Sequence, residues 1–379
     1  MRLFLISFFL IYGLMHLYAL LKARAAFSLT YRSIIPLIFF MGVMIFAPII
    51  VRYAENMEFE FLAIVMSHTG YIWMGLLFLF ISLSILIDIL KLTIYLTGFI
   101  FHAKLSAIII TSKVSFYMPL LFSILAAVYG NIEANNIRTE HVTIKTSKIP
   151  KALNGFRIVQ ISDVHLGLIV REKRLKIILD EVKKAKPDIL VSTGDLVDGQ
   201  INKLKGLAEL LRDINPQYGK FAISGNHEFY AGFKQAMDFT KRAGFSLLRG
   251  KSVVIADAIN LSGIDDGSGK NHPMFNSISE KKLLSGLDRK KFTVLLKHRP
   301  LLSNNVPGLF DLQLSGHTHK GQIFPFSLIT RLYYPNDSGF MELSNNSKLY
   351  VSRGTGTWGP PIRFLSPPEV TVIELVREQ

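Results

Sequence analysis

The chain has 379 residues, of which half are hydrophobic, a formal net charge of +15 and no cysteine. Its mean hydropathy of +0.33 is too high for a chain that is soluble throughout. The absence of cysteine excludes disulfides and thiolate metal ligands, so any metal site must use nitrogen and oxygen donors.

The apolar residues are concentrated near the N-terminus. Residues 1–130 contain eight basic residues (Lys and Arg) and four acidic residues (Asp and Glu). Residues 131–379 contain 35 basic and 24 acidic residues. Four apolar stretches, at about 3–21, 34–51, 71–90 and 107–129, each approach the roughly 20 residues needed to cross a bilayer. We therefore predict a transmembrane helical domain over 1–130 with about four helices. Pro36 and Pro48 leave open that the second stretch is a kinked or re-entrant element.

Basic residues near the ends of these stretches predict an orientation. The first and third loops each carry three of them: Lys22, Arg24 and Arg32 in the first, and Lys91, Lys104 and Lys113 in the third. The second loop carries one, Arg52. Loops rich in Lys and Arg remain on the cytoplasmic side of a membrane, so the first and third loops are expected in the cytoplasm. The region after the fourth stretch is then expected outside it. The opposite orientation is favoured by basic residues soon after that stretch: Arg138, Lys145, Lys148 and Lys151.

The pattern of the remaining residues predicts an α/β domain. After a polar connector, 131–154, we predict strands at 156–161, 189–192, 221–223, 292–296 and 312–314, with amphipathic helices at 171–186 and 233–243. Further strands near 253–255, 349–351 and 370–375 have no helix between them and indicate antiparallel additions. The predicted domain therefore covers 155–379.

Five short motifs follow the predicted strands. They are Asp163-Val164-His165, Gly194-Asp195-Leu196-Val197-Asp198, Gly225-Asn226-His227-Glu228, Lys297-His298-Arg299-Pro300 and Gly316-His317-Thr318-His319. Loops at strand ends are where α/β folds hold their functional side chains. Imidazole, carboxylate and amide donors that converge from several strands are typical of a site for two divalent metal ions.

Together and in this order, the motifs resemble the calcineurin-like metallophosphoesterases. Further segments resemble the membrane-anchored bacterial branch related to the YaeI and YkuE proteins: Gly263–Asp266, His317–Gln322 and Ser352–Arg363. The resemblance implies a four-layer α/β/β/α metallophosphoesterase sandwich preceded by the transmembrane region. It also implies two divalent metal ions, with Mn, Fe or Zn expected.

The resemblance further implies a role for each motif residue. Asp195 is the expected bridging ligand, with Asp163, His165 and His319 on one metal and Asn226, His298 and His317 on the other. A hydroxide between the metals is expected to attack phosphorus. His227 is the expected acid that protonates the leaving group, and Asp198 is expected to orient a ligand.

Three basic residues are candidates for binding the substrate phosphate: Arg299, Lys320 and Arg353. Many relatives have Gly or Asn where Lys320 stands, so their substrate preference is not transferred to this chain. Surface or structural pairing is an equally good explanation for Arg299 and Arg353.

The expected function is hydrolysis of phosphodiester or pyrophosphate bonds by a membrane-anchored enzyme that acts on a phosphorylated small molecule or on a lipid-linked or envelope substrate. One alternative is a lipid A enzyme of the UDP-2,3-diacylglucosamine pyrophosphatase type. Another is a catalytically silent membrane-bound binding or scaffold protein.

A nuclease is disfavoured because we recognise no nucleic-acid-binding module, although residues 131–379 carry a net charge of +11, from 35 basic and 24 acidic residues. Adherence to an anionic bilayer is the favoured explanation of that charge.

Overall fold

A computed structural model describes residues 2–102, 110–199, 204, 206–303 and 306–378 of the protein. The chain divides into two compact units, residues 1–132 with 359–362 and residues 133–358 with 363–379. Each unit contains its own cluster of buried apolar side chains.

The described part of the first unit consists mainly of four long helices. They are α1 (Arg2–Phe27), α2 (Tyr31–Asn56), α3 (Glu60–Ile100) and α4 (Ser112–Asn135). By length and composition each can cross a membrane, with mean window hydropathies from 1.4 to 2.8. They coincide with the four predicted stretches, although residues 107–109 and Lys104 lie outside the described residues. Pro36 and Pro48 lie inside α2, which is assigned as one helix of 26 residues.

A polar contact joins three helices of this unit. Lys22 Nζ lies 2.5 Å from Asp88 Oδ1 and 2.9 Å from Ser115 Oγ. A carboxylate in an apolar helix needs such partners because lipid offers none. Lys22 is near the end of α1 and Ser115 near the start of α4, so the end of α1 and the start of α4 lie at the same end of this unit.

The second unit alternates strands and helices. Its strands are β1 (Arg138–Thr146), β2 (Phe156–Ile161), β3 (Ile189–Ser192), β4 (Lys220–Ala222), β5 (Ser246–Leu247), β6 (Lys251–Ile255), β7 (Ile259–Gly263), β8 (Phe292–Leu296), β9 (Leu312–Ser315), β10 (Gly339–Glu342), β11 (Lys348–Val351) and β12 (Glu369–Arg377). Its helices are α5 (Glu172–Ala185), α6 (Leu207–Arg212), α7 (Asn226–Ala231), α8 (Phe233–Arg242), α9 (Glu280–Ser285) and α10 (Phe326–Tyr333).

Among the described residues these strands form two sheets of six. The first has the order β1-β12-β2-β3-β4-β5 and the second the order β10-β11-β9-β8-β7-β6. The inner pairs β2/β3, β3/β4, β7/β8 and β8/β9 are parallel. Antiparallel pairing occurs where β12 meets β2 and at the two edges of the second sheet. However, β11 also pairs parallel with β9 and β12 with β1, so the predicted antiparallel additions are confirmed only in part.

Buried side chains connect the layers. One cluster contains residues of both sheets, such as Ile158, Val191, Val294 and Leu314. A second cluster packs α5, α6 and α8 on the first sheet, and a third places Leu284 of α9 against Leu295 of the second sheet. The predicted four-layer α/β/β/α sandwich is therefore confirmed.

The strands and helices that were predicted for this unit agree closely with the structure, but several other elements were not predicted. The predicted connector 131–154 contains β1, an edge strand whose Val142, Ile144 and Thr146 alternate with more exposed residues. Seven further elements were not predicted, because segments of two to eight residues have too little periodicity to be recognised: β5, β7, β10, α6, α7, α9 and α10.

Candidate metal centre

The predicted ligands all follow central strands of the two sheets. Asp163 and His165 follow β2, Asp195 follows β3, and Asn226 opens the helix after β4. In the second sheet, His298 follows β8, and His317 and His319 follow β9. Parallel neighbouring strands end at the same edge of a sheet, so each sheet brings its own ligands together.

Three groups of donor atoms converge among the described residues, each within 4.8 Å. They are Asp163 with His165 and His319, His165 with Asp195 and His227, and Asp195 with His298 and His317. The structure therefore brings together the carboxylates and imidazoles that the sequence analysis selected. Asn226 joins the third group, because its Oδ1 lies 3.2 Å from His298 Nε2.

Asp195 lies between two of these groups. Its Oδ2 is 3.2 Å from His298 Nε2 and 3.9 Å from His165 Nε2. Its Oδ1 accepts a hydrogen bond of 2.8 Å from the backbone N–H of His227. One carboxylate oxygen is therefore fixed by the backbone, and the other faces both imidazole sets.

The ring orientations fit metal binding. His298 Nδ1 lies 2.8 Å from the carbonyl oxygen of Thr193, which can only accept, so Nδ1 carries a proton and Nε2 is the nitrogen that could bind a metal ion once unprotonated. Elsewhere imidazole nitrogens face each other, at 3.1 Å between His165 Nε2 and His319 Nε2 and 3.2 Å between His317 Nδ1 and His298 Nε2. Buried nitrogens converging in this way form a donor set that suits a cation.

Burial and neighbouring charges shift the protonation of the site in different directions. Burial lowers the pKa of His298, but the charge of Asp195 and the hydrogen bond to it outweigh burial and raise the pKa to about 10, so metal binding at His298 would displace a proton. Burial, the charge of His298 and the charge of Arg299 lower the pKa of His317 to about 3. Burial, Arg363 and His165 lower the pKa of His319 well below its usual value. Burial raises the pKa of Asp195, but the charges of His298 and His227 outweigh it, and the net shift is downward. Metal ligands have to be neutral imidazoles and ionised carboxylates.

Backbone strain is concentrated at the same residues. Five of the predicted ligands have positive φ: Asp163 at 53°, His165 at 55°, Asp195 at 50°, His317 at 72° and His319 at 50°. This conformation costs a residue other than glycine roughly 1–3 kcal/mol and persists only where the surroundings enforce it, as they do at functional sites.

The comparisons with known proteins agree with this geometry. The family model described as calcineurin-like phosphoesterase matches residues 156–321. An uncharacterized metallophosphoesterase of Aquifex aeolicus is 41% identical over 257 residues, which cover 68% of this chain and 98% of that protein. The chain belongs to the calcineurin-like metallophosphoesterase family.

Other relatives share features with particular parts of the chain. The uncharacterized metallophosphoesterase YkuE of Bacillus subtilis is 35% identical over 258 residues, 64% of this chain and 87% of that protein. A Danio rerio protein named as a transmembrane protein with a metallophosphoesterase domain is 33% identical over 272 residues, 68% of this chain and 62% of that protein. The metallophosphoesterase is thus a metal-dependent phosphoester hydrolase associated with membranes.

The metallophosphoesterase holds Asp195 with a residue to which the sequence analysis gave no role. The Glu228 carboxylate is buried and accepts hydrogen bonds from the backbone N–H groups of Asp195 at 3.0 Å, Leu196 at 2.7 Å and Gly225 at 2.7 Å. It therefore ties the loop after β3 to the loop after β4. A carboxylate within the Asn-His-Glu motif is the signal that would have found it.

Arg363 is a second residue that the sequence analysis quoted without a role. It is fully buried, and its guanidinium donates to the carbonyl oxygens of Arg353 at 2.7 Å and Gly356 at 2.5 Å and lies 2.9 Å from His319 Nδ1. Burial lowers the pKa of Arg363 to about 9. Only the three-dimensional structure relates this distant residue to His319.

His227 and Asp198 form a contact beside the ligands. His227 Nδ1 lies 2.7 Å from Asp198 Oδ1, and His165 Nδ1 lies 3.5 Å from the same oxygen. Burial lowers the pKa of His227, but the charge of Asp195 and the hydrogen bond to Asp198 outweigh it and raise the pKa to about 9. The His227 ring also lies 5.5 Å from that of Tyr230 and 5.8 Å from that of Trp358.

The three candidate phosphate ligands differ in their surroundings. Arg353 pairs with Glu140 and, at 2.6 Å, with Glu369, so its charge is already neutralised. Arg299 Nε lies 2.9 Å from Asp266 Oδ2. Lys320 is partly exposed, adopts φ 49° directly after His319, and has no ion pair with another described residue. The structural explanation is therefore strongest for Arg353.

Gly225 provides a test of the close packing around Asp195. A Cβ at this position would lie 2.2 Å from Asp195 Oδ1, so we expect Gly225→Ala to displace the carboxylate and to weaken divalent-metal binding about 10–100-fold. Bound metal is measured by elemental analysis after titration with Mn. Gly286→Ala is the control, since its Cβ would meet nothing within 4 Å. Normal metal affinity in Gly225→Ala would contradict the prediction.

Proposed function

We propose that the protein hydrolyses phosphodiester or pyrophosphate bonds at a centre of two divalent metal ions. The main support for this proposal is the position of Asp195. Two cations about 3.5–4 Å apart need a shared anion to offset their repulsion. Asp195 Oδ2 is the anionic oxygen that faces both His165, at 3.9 Å, and His298, at 3.2 Å.

Each ion would have a set of nitrogen and oxygen donors. Asp163, His165 and His319 would hold one, and Asn226, His298 and His317 the other, with Asp195 common to both. Such imidazole-rich donor sets suit Mn, Fe or Zn. When bound, these ions polarise a phosphoryl group and lower the pKa of a water molecule.

His227 is proposed as the general acid for the leaving group. Its side chain is 13% exposed, so a substrate can reach it, while the contact with Asp198 holds its Nδ1. A carboxylate on one ring nitrogen orients the imidazole and stabilises its protonated form. In this role His227 moves a proton and is not a ligand, although His165, Asp195 and His227 also lie within ligand distance of one another.

The substrate is proposed to be a phosphorylated small molecule or lipid. Arg299 and Lys320 stand close in sequence to the ligands His298 and His319, and both can offer positive charge to phosphate oxygens. The membrane association favours a lipid-linked or envelope substrate. A silent scaffold is disfavoured because the expected ligands are all present and converge.

A simple assay tests the enzymatic proposal. The purified full chain with Mn should cleave a chromogenic phosphodiester, and Asp195→Asn should lower kcat/KM by more than about 100-fold because both donor sets lose their shared charge. Asp238→Asn, an exposed residue of α8, is the matched control and should behave as wild type. Wild-type protein without Mn-dependent hydrolysis would remove the basis of the proposal.

The acid role of His227 predicts a dependence on the leaving group. For a phosphodiester with an alkoxide leaving group, His227→Gln should lower kcat/KM about 10²–10⁴-fold, because the departing oxygen needs a proton. For a nitrophenolate, which leaves without a proton, the loss should be much smaller. His141→Gln, on exposed β1, is the control. An equal loss for both leaving groups would assign His227 to metal binding or orientation.

We also propose that the chain crosses the membrane several times and that its catalytic domain is outside the cytoplasm. The two basic loops support this orientation, because the Lys22–Ser115 contact of 2.9 Å joins the helix ends from which they extend. A β-lactamase fused after Gln379 in a bacterial host should therefore confer resistance, which requires export. Resistance for a fusion in the first loop, after Ser28, together with sensitivity for fusions after Met57 and Gln379, would reverse the orientation.

A further inference from the structure

Helix α10 has its apolar side turned towards solvent. Five apolar or aromatic residues are exposed: Phe326 by 45%, Leu328 by 54%, Ile329 by 48%, Leu332 by 80% and Tyr333 by 76%. At 3.6 residues per turn they occupy one continuous arc of about 160°. The residue that α10 buries is polar, since Thr330 is 9% exposed and donates to the carbonyl oxygen of Phe326. This arrangement is the reverse of that of an ordinary surface helix.

Neighbouring residues extend this surface. Phe324 is 40% exposed, and its backbone N–H donates to the carbonyl oxygen of Phe364, which places it beside Leu365, 57% exposed. We call Phe324, Leu365 and the exposed face of α10 the apolar ridge. Single exposed apolar residues are common on proteins, but a concentration of this kind marks an interaction surface.

The apolar ridge lies directly beside the candidate metal centre. The turn that carries His319 leads through Gly321 into α10, and a Cβ on Gly321 would lie 2.4 Å from Ser327 Cα. Tyr334, which follows α10, has its ring 5.4 Å from that of His317. A partner bound to the ridge would therefore lie next to the ligands that the same turn positions.

We propose that the apolar ridge inserts into a lipid bilayer, so that the catalytic domain itself contacts lipid. The chain already carries helices that can cross a membrane, and α4 ends at Asn135, only two residues before β1 begins at Arg138. This short link keeps the domain at a high local concentration near lipid, so even a weak insertion is effective.

The composition of the ridge also fits a bilayer better than a protein groove. Leucine, isoleucine and phenylalanine occupy its apolar face, and Tyr333, whose polar hydroxyl suits an interface, lies at one edge. Lys320 supplies positive charge beside that face, whereas Arg331, 55% exposed at its side chain, is paired at 3.1 Å with Asp337, and the domain as a whole is basic. Anionic headgroups attract such residues.

The absence of native cysteine makes a direct test possible. The full chain with Leu332→Cys, carrying an environment-sensitive fluorophore, is reconstituted into vesicles of phosphatidylglycerol and phosphatidylcholine. A spin label on the lipid acyl chain should quench the fluorophore, and iodide in the water should not. Val254→Cys is the matched control, because Val254 is 53% exposed on β6, outside the ridge, and should show the opposite pattern.

Each outcome decides the proposal. Equal behaviour of the two labels, or iodide quenching at position 332, would show that the ridge stays in water and would overturn it. Cross-linking between Leu332→Cys chains at high dilution in the vesicles would assign the ridge to a second copy instead.

A second variant separates this proposal from the enzymatic one. Leu332→Asp should abolish the lipid quenching of a fluorophore attached at Leu328→Cys but leave hydrolysis of a water-soluble phosphodiester unchanged. Lipid quenching that survives Leu332→Asp would overturn the insertion. Because quenching needs no turnover, failure of the proposed hydrolysis would leave this measurement interpretable.

Discussion

The architecture of the site depends on holding one carboxylate between two sets of imidazoles. Asp195 can face both because its Oδ1 is fixed by the backbone of His227 and its loop is held by Glu228. Gly225 allows the two loops to approach, since a side chain there would collide with Asp195. Each contact in this set joins the end of β3 to the end of β4, so the carboxylate is positioned before any ion arrives.

The two sheets serve this arrangement by delivering ligands from opposite layers. The first sheet supplies the carboxylates and the second supplies His298, His317 and His319. The apolar layer between the sheets fixes their separation, and close packing makes that distance hard to change. The positive φ values at the ligands then represent local strain that the surrounding packing maintains.

Much of this arrangement could be predicted from the sequence, because the motifs follow strands whose apolar patterns are clear. Asp163, His165, Asp195, His298, His317 and His319 are brought together as expected. Glu228 and Arg363 were not given roles, since their contacts are with backbone atoms of other loops and leave no periodic pattern. Helix α10 was not predicted at all, and even a recognised apolar pattern would not tell whether that face is buried or exposed.

We propose that Asp195 would be shared by two metal ions, and electron paramagnetic resonance of the Mn-loaded full chain tests this proposal most directly. Two Mn ions bridged by one carboxylate are magnetically coupled, so we expect a coupled spectrum at two ions per chain and uncoupled ions in Asp195→Asn. A wild-type protein that binds two Mn ions without coupling, or that saturates with one, would contradict it.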